Sequence, residues 1–426
     1  MDYVIYPPEG MLETTVTLPL SKSISARQLI MDTLSGTDSG HELADCDDIT
    51  ALRSALAGRG QGIADVHASG TALRFLTACF AALPGTDVTV TGTPRLCERP
   101  IANLVDALRQ LGADIEYTDG EGHAPLHIRG RQLSGGEIEM DASVSSQYSS
   151  ALMMVAPYMQ NPLVLTLLNN IASAPYIKMT ALMMEARGAD VEIAGQRIIV
   201  RPGGYTRAGG AVERDWSAAS YWYSVTALSA GWVTLPGLTA NSVQGDSAMR
   251  QYGERIGVTT DFDDEDAPDS AVLAASPEQF SRLTIDMGAT PDLVPALAIA
   301  ASTIGIPFRF TGVATLRHKE CDRIAVLCRE ALKLGAVFET EGDDILVWEG
   351  HRHAITERPV IDTADDHRMA MAFAPVAVFV PGLVIRDAEV VRKSYPGFWD
   401  DMRAAGFTVE EYPGPDAEGS QTADQQ

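Results

Sequence analysis

Nowhere do about 18 consecutive apolar residues occur in the 426-residue chain, so no stretch is long enough to span a bilayer as a helix. Its first residues, Met1-Asp2-Tyr3-Val4, offer neither a basic segment nor a hydrophobic signal core, and secretion is not expected. Cysteine is scarce. Cys46, Cys79, Cys97, Cys321 and Cys328 form no CxxC pair and are odd in number, which points to reduced thiols in a cytoplasmic protein and to no metal cage. Positive charge is also short: 32 Lys and Arg stand against 57 Asp and Glu, a net −25 that argues against nucleic acid or an anionic membrane as partner. There is no P-loop and no GxGxxG after a strand, and His351 and His353 flank Arg352 in a loop-like stretch without further ligands. No cofactor and no metal are therefore expected.

What is present is an ordinary globular composition, 46% hydrophobic and 21% charged, at a length that suggests two domains. One unit recurs. A β-rich run leads through an amphipathic helix to a glycine and a second β-rich run. The runs begin at Val88, Leu163, Val233, Phe308 and Leu383, 70 or 75 residues apart, and the glycines are Gly112, Gly188, Gly257, Gly335 and Gly406. A glycine there suits a left-handed helix cap. A weaker copy over 43–60 makes six. Between these runs lie helices apolar on every face, over 72–83, 149–158, 218–230, 294–304 and 369–378, which must be buried rather than lie on a surface. The expected fold is α/β, six modules around buried helices, three in each half. The acidic stretch 261–266 reads as solubilising, and the tail beyond about residue 414 as disordered.

The few basic residues fall into short motifs. After the alternating run 14–18 and Pro19, three serines (Ser21, Ser23, Ser25) surround Lys22 ahead of a helix, with Arg27 a turn later. A serine there caps the helix, and its outward amides suit an anion. Ser69-Gly70-Thr71 opens another helix, where Gly70 allows close approach to the backbone. Arg95 and Arg99 bracket Glu98, an arrangement equally readable as a surface ion pair. Ser145-Ser146-Gln147 and Ser173-Ala174-Pro175-Tyr176 each precede a helix and taken singly are N-caps. Lys319 and Arg323 are spaced four apart, as on one helical face beside Glu320. Asp292 follows Pro291, Asp366-His367-Arg368 opens a helix, and Lys393 follows Arg392 after a strand. A cation or carboxylate at the mouth of nearly every module suits small, multiply anionic substrates and proton transfer without a cofactor.

These residues resemble the 5-enolpyruvylshikimate-3-phosphate synthase family. The motifs SKSxSxR, GTALR, RxxERP, SSQ, SxPYI, PD, KExDR, DHRMAM and KSYPxFW occur in family order from about Leu18 to Trp399. The resemblance implies a two-domain inside-out α/β barrel, each domain three βαβαββ repeats, with 21–213 as one lobe and 1–20 plus 214–426 as the other. It implies enolpyruvyl transfer from phosphoenolpyruvate to the 5-hydroxyl of shikimate 3-phosphate, by a monomer, with glyphosate competing for the phosphoenolpyruvate place. By position, Lys22, Gly70, Arg99 and Gln147 would hold the phosphoenolpyruvate phosphate, and Arg323, Arg368 and Lys393 its carboxylate side. Ser23, Arg27, Ser145, Ser146, Gln147, Ser173, Tyr176, Asp292 and Lys319 would form the shikimate 3-phosphate side. Asp292 would take the hydroxyl proton, and Glu320 and Lys22 would exchange a proton with the methylene carbon. The pattern departs from the family at Leu20, Ala26, Ala68 and Phe75, where glycine, asparagine, asparagine and often proline stand. Two alternatives remain: the related transferase acting on a nucleotide sugar, and an inactive anion-binding homologue.

Overall fold

A computed structural model describes residues 1–262, 269–278 and 280–414. Most of the acidic stretch 261–266 and the tail beyond residue 414 lie outside the described residues.

Five four-stranded sheets share one plan: two parallel strands, then an antiparallel pair. In the first, Gln61–Asp65 runs parallel to Asp87–Thr91, which pairs antiparallel with Leu126–Arg129, and Asp114–Tyr117 forms the edge. Two of the sheets are completed from the N-terminus. Leu12–Thr15 runs parallel to Gly231–Pro236, and Tyr3–Tyr6 inserts between Leu383–Ile385 and Thr408–Glu411. All five glycines singled out above adopt left-handed backbone, with φ of 95°, 87°, 82°, 80° and 93° in chain order. That backbone conformation strains any residue with a Cβ, so each glycine ends a helix and frees the chain to start the next strand.

Helices fill the interior and the sheets face outward. Gly70–Ala82 packs on Ser146–Val155, while Val294–Ile304 packs between Trp216–Leu228 and His367–Phe373. Those five helices are buried over nearly all their length, as their uniform apolarity requires. Two finish differently from expectation: Ala156–Tyr158 and Ala374–Val378 are 3₁₀ turns, because Pro157 and Pro375 lack the N–H that an α-helix needs. The weak sixth copy over 43–60 contributes one helix, Asp47–Ala57, but no four-stranded sheet of its own among the described residues. The polar segment 37–45 has no alternation from which to build one.

The apolar interior divides into two large clusters, one drawn from 26–200 and one from 3–18 and 216–409, with a small third of Ile24, Met179 and Val212. The chain passes between them twice, and the two passages run side by side. Leu20 bridges Arg214, the Ser21 amide donates to Glu213 (2.8 Å), and the Asp215 amide donates to Pro19 (2.9 Å).

Candidate active site

Between the two clusters lies a cavity lined by Lys22, Ser23, Arg27, Gly70, Arg99, Ser145, Ser146, Gln147, Ser173, Tyr176, Asp292, Lys319, Glu320, Arg323 and Arg368. Every candidate from the sequence is there except Lys393, which reaches the site indirectly, its Nζ 3.2 Å from Glu320 Oε1. The five cysteines are unpaired, and no cluster of metal-ligand residues exists among the described residues.

Local structure explains how each group arrives. The helix of Lys22 starts after Ser21, yet no serine caps it. The Ser21 hydroxyl is buried without a partner, and the Lys22 amide donates instead to Asp215 Oδ2 (3.2 Å). Asp215 also caps the Trp216–Leu228 helix through Oδ1, so one carboxylate serves helix starts on both sides of the passage. At its other end Lys22 points into the cavity, with Nζ 2.9 Å from Asp48 Oδ2. Burial, the largest single influence, works against that ammonium, but Asp48, Cys46 and Glu320 together outweigh it and the Lys22 pKa is raised.

Arg27 is fully buried and held by neutral groups: Nε donates to Thr180 Oγ1 (2.7 Å) and a terminal nitrogen to Ser150 Oγ (3.2 Å). Its guanidinium lies against the rings of Phe75 and Tyr176. Arg99 makes no hydrogen bond among the described residues, and Glu320 Oε1 stands 4.0 Å away. Burial pushes both arginines down to about 10. The ion pair expected on the surface forms between Arg95 and Glu98 (3.2 Å), leaving Arg99 turned inward. At the start of its helix Gly70 sits beneath two guanidinium ends: a methyl there would meet Arg74 at 2.5 Å and Arg99 at 2.7 Å. The room expected beside Gly70 is therefore filled by arginine. Gln147 is fixed on both sides, accepting from Arg74 (3.1 Å) and donating to Thr71 (3.0 Å).

Ser145 is an N-cap, accepting from the Gln147 amide (3.2 Å), and faces the cavity as well. Ser173 is not a cap. It adopts left-handed backbone (φ 53°) because its amide is drawn to the Gly288 carbonyl of the other cluster (2.9 Å).

On the opposite wall Lys319 and Arg323 do not share a helix. Lys319 ends the 3₁₀ turn Ala314–His318 in extended backbone, and Arg323 starts the helix Arg323–Lys333. Asp292 brings them together: its Oδ1 lies 2.9 Å from Arg323 and 3.3 Å from Lys319, and its Oδ2 lies 2.9 Å from Arg368. Arg323 also reaches Glu320 (2.8 Å) and Asp366 (2.7 Å), so all its nitrogens meet carboxylates. For Asp292, desolvation is overcome by Arg368, Lys319 and Arg323, and for Glu320 by Lys393, Arg323 and Arg99, so both carboxyls are held well below their ordinary range.

A model of the EPSP synthase (3-phosphoshikimate 1-carboxyvinyltransferase) family matches residues 54–402. A 3-phosphoshikimate 1-carboxyvinyltransferase from Bacteroides fragilis is 44% identical over 413 residues, covering 96% of this chain and 99% of that protein. This chain belongs to the EPSP synthase family. One of the same name from Methanoculleus marisnigri is 39% identical over 82% of the chain and 80% of its own length. The solved EPSP synthase of Acinetobacter baumannii, at 22% identity, shares the fold with a TM-score of 0.73 over 96% of this chain and all of that one.

Within this family member, three residues at the site were given no part in it by the sequence motifs. Asp48 had no local signal, being one acid among 57 until its helix packs beside that of Lys22. Asp366 stood within a quoted motif but was read only as opening a helix. It does cap that helix, accepting from the Arg368 amide (2.9 Å), and is also the fully buried anchor of Arg323. His367 faces the cavity with neither ring nitrogen hydrogen-bonded, Nδ1 lying 3.5 Å from Asp366 Oδ1, and burial holds it neutral.

Proposed function

We infer that the chain transfers the enolpyruvyl group of phosphoenolpyruvate to the 5-hydroxyl of shikimate 3-phosphate, giving 5-enolpyruvylshikimate 3-phosphate and inorganic phosphate. The observation carrying this reading is the convergence of five cations, from both sides of the cavity, on Asp292 and Glu320. Addition places the 5-oxygen on C2 of phosphoenolpyruvate and a proton on C3. Elimination removes a C3 proton as the C2–O bond to phosphate breaks. Both steps need anion binding and proton carriers, and neither needs a redox group.

The residue roles follow from geometry and chemistry. Lys22, Arg99, Gln147 and the Gly70 helix start form the phosphate side of the phosphoenolpyruvate place, where Arg99 has donors unused. Arg368 and Lys393 take its carboxylate side. Arg323, with its nitrogens already on three carboxylates, serves chiefly to brace them. Ser23, Arg27, Ser145, Ser146, Ser173, Tyr176 and Lys319 form the shikimate 3-phosphate side. Asp292 receives the 5-hydroxyl proton. Among these cations alone it is a weak base, but anionic substrates draw Arg368 and Lys319 toward themselves and add negative charge, which raises its proton affinity. The same shift lets Glu320 hold and return the C3 proton. Lys22, kept protonated by Asp48, stabilises charge and relays a proton through its ammonium.

The lobes 21–213 and 1–20 plus 214 onward close over this site, a reading supported by Lys393 donating across it to the Ala68 carbonyl (3.0 Å). One chain supplies every group, so a monomer suffices, and five free thiols fit a reducing cytoplasm. Glyphosate, an anionic phosphonate, competes for the phosphoenolpyruvate place.

Phosphate release from phosphoenolpyruvate tests the reading, with shikimate 3-phosphate and a nucleotide sugar offered separately. Release with shikimate 3-phosphate alone is expected. Release with the nucleotide sugar instead, or none from a folded sample, would overturn it.

A further inference from the structure

One buried carboxylate near the cavity has no part in the scheme above. Asp246 sits in the 3₁₀ turn Gly245–Ala248, is 2% exposed, and comes from the side of the molecule that carries Asp292. Its Oδ2 accepts from the Ser217 hydroxyl on its own side and from the Tyr176 hydroxyl (3.5 Å) on the other. Its Oδ1 is buried without a partner. The surrounding seam is tight: a methyl on Gly245 would meet Pro175, next to Tyr176, at 2.3 Å. Two charged residues of the cavity or its rim, Asp292 from the turn Pro291–Leu293 and Arg368 from the helix His367–Phe373, act on Asp246, as does Asp215 at the start of Trp216–Leu228. A buried carboxylate with an empty oxygen is costly and persists where surrounding structure enforces it.

We propose that Asp246 is a positioning residue: by holding the Tyr176 hydroxyl across the seam, it sets the shikimate 3-phosphate side of the cavity from the opposite lobe. The proposal rests on the reading that Tyr176 contacts shikimate 3-phosphate. Tyr176 in turn stacks on Arg27, so its ring angle sets where that cation presents its free edge. Asp246 touches no reacting atom; it acts through Tyr176. Burial and Asp292 together push its carboxyl up to about 6, with Arg368 and the Ser217 hydroxyl pulling the other way. Below that pH it gains a proton, the bond from Tyr176 loses its charge assistance, and the shikimate 3-phosphate side loosens. Affinity for shikimate 3-phosphate then falls as pH drops through about 6. Affinity for phosphoenolpyruvate does not follow it.

The test is Asp246→Asn, which keeps shape and imitates the protonated state at every pH. At pH 8 its KM for shikimate 3-phosphate should be raised about tenfold, the size expected for losing one charge-assisted hydrogen bond. Its KM for phosphoenolpyruvate should move less than about twofold. At pH 5 the variant and the parent should converge. The phosphate of the substrate itself titrates near 6, so the ratio of variant to parent is the quantity to follow. Tyr176→Phe removes the hydroxyl and keeps the ring; the double variant should be no worse than either single one. Should Asp246→Asn fail to fold, Tyr176→Phe alone must flatten the excess pH dependence. If Tyr176→Phe raises the KM while Asp246→Asn leaves it unchanged at pH 8, the proposal falls and the place of Tyr176 stands. If neither moves it, both fall. Equal rises in both Michaelis constants would mark Asp246 as a merely structural residue and also overturn the proposal.

Discussion

The two walls of the cavity carry cations in opposite electrostatic circumstances. On the wall built from residues 21–201, Arg27 is held by hydroxyls and a carbonyl, and Arg99 has no hydrogen bond among the described residues. Both are pushed down to about 10 by burial; Lys22 has a carboxylate at 2.9 Å, whereas the one facing Arg99 stands 4.0 Å away. On the wall built from 283–393, burial is overcome: Arg323 is raised by Asp366, Glu320 and Asp292, and Arg368 chiefly by Asp292. A buried cation short of a counterion is an unmet demand for an anion, whereas a cation saturated with carboxylates fixes those carboxylates in their ionised form. On the proposed reading, one wall recognises anions, and the other brings its own acids for proton transfer.

The largest effect expected from breaking this contrast lies at Asp292. Asp292→Asn keeps the size of the side chain but cannot take a proton, and general-base assistance typically supplies about 10²–10⁴-fold. Turnover should fall by that factor, with shikimate 3-phosphate affinity changed far less. Melting temperature measured on the same sample separates the readings, since a destabilised but active enzyme would sink the base assignment.

Next in size is Asp366, which has no substrate to meet. Its carboxylate is fully buried against Arg323 and caps a helix, so Asp366→Ala strands a buried cation. A loss of about 3–5 kcal/mol in unfolding free energy is expected by denaturant titration. A loss below about 1 kcal/mol would show that Asp292 and Glu320 alone satisfy Arg323.

Arg27 should behave in the reverse sense. Arg27→Met removes a buried charge that no carboxylate neutralises, so stability should hold or rise slightly. Recognition suffers instead. Loss of one partner of a buried charge-assisted contact costs roughly 2–5 kcal/mol, so the KM for shikimate 3-phosphate should climb at least about 30-fold. A variant that loses stability but keeps its Michaelis constant would place Arg27 among the braces and erase the difference between the walls.

How much of this was legible beforehand depended on whether a residue's partner was local in sequence. The chain has five lysines, Lys22, Lys178, Lys319, Lys333 and Lys393, and three of them reach the site. Against a net charge of −25, that scarcity made the basic motifs stand out. The five helix-ending glycines and the uniformly apolar helices were equally plain, because caps and periodicity are written within a few residues. What stayed hidden was pairing at a distance. Asp48 with Lys22, Asp246 with Tyr176 and Asp215 with the Lys22 amide join residues 26, 70 and 193 positions apart. Ser173 and Ser21 misled for the same reason: an N-cap is the local solution, and in both places a contact from across the passage displaced it.

The smallest expected effect sharpens the contrast at one atom. Gly70 lies on the anion-recognising wall, where a methyl would meet the ends of Arg74 and Arg99 at 2.5 and 2.7 Å. Those are tips of flexible side chains, so the fold should yield cheaply. Gly130 is the control: its methyl would meet the backbone carbonyls of Leu83 at 1.9 Å and Phe80 at 2.5 Å, which cannot move aside. Gly130→Ala should therefore lower the melting temperature steeply, and Gly70→Ala should leave it nearly unchanged. The cost of Gly70→Ala appears in function, because the methyl both covers the helix start and pushes Arg99 off its line to a bound phosphate. The KM for phosphoenolpyruvate should rise about tenfold, equivalent to roughly 1.4 kcal/mol. Since Arg99 rather than empty space fills the position, inhibition by glyphosate should weaken alongside it. An unchanged KM with weakened inhibition would mean that Arg99 re-forms its contact around the methyl, and that the steric limit at Gly70 bears on the inhibitor alone.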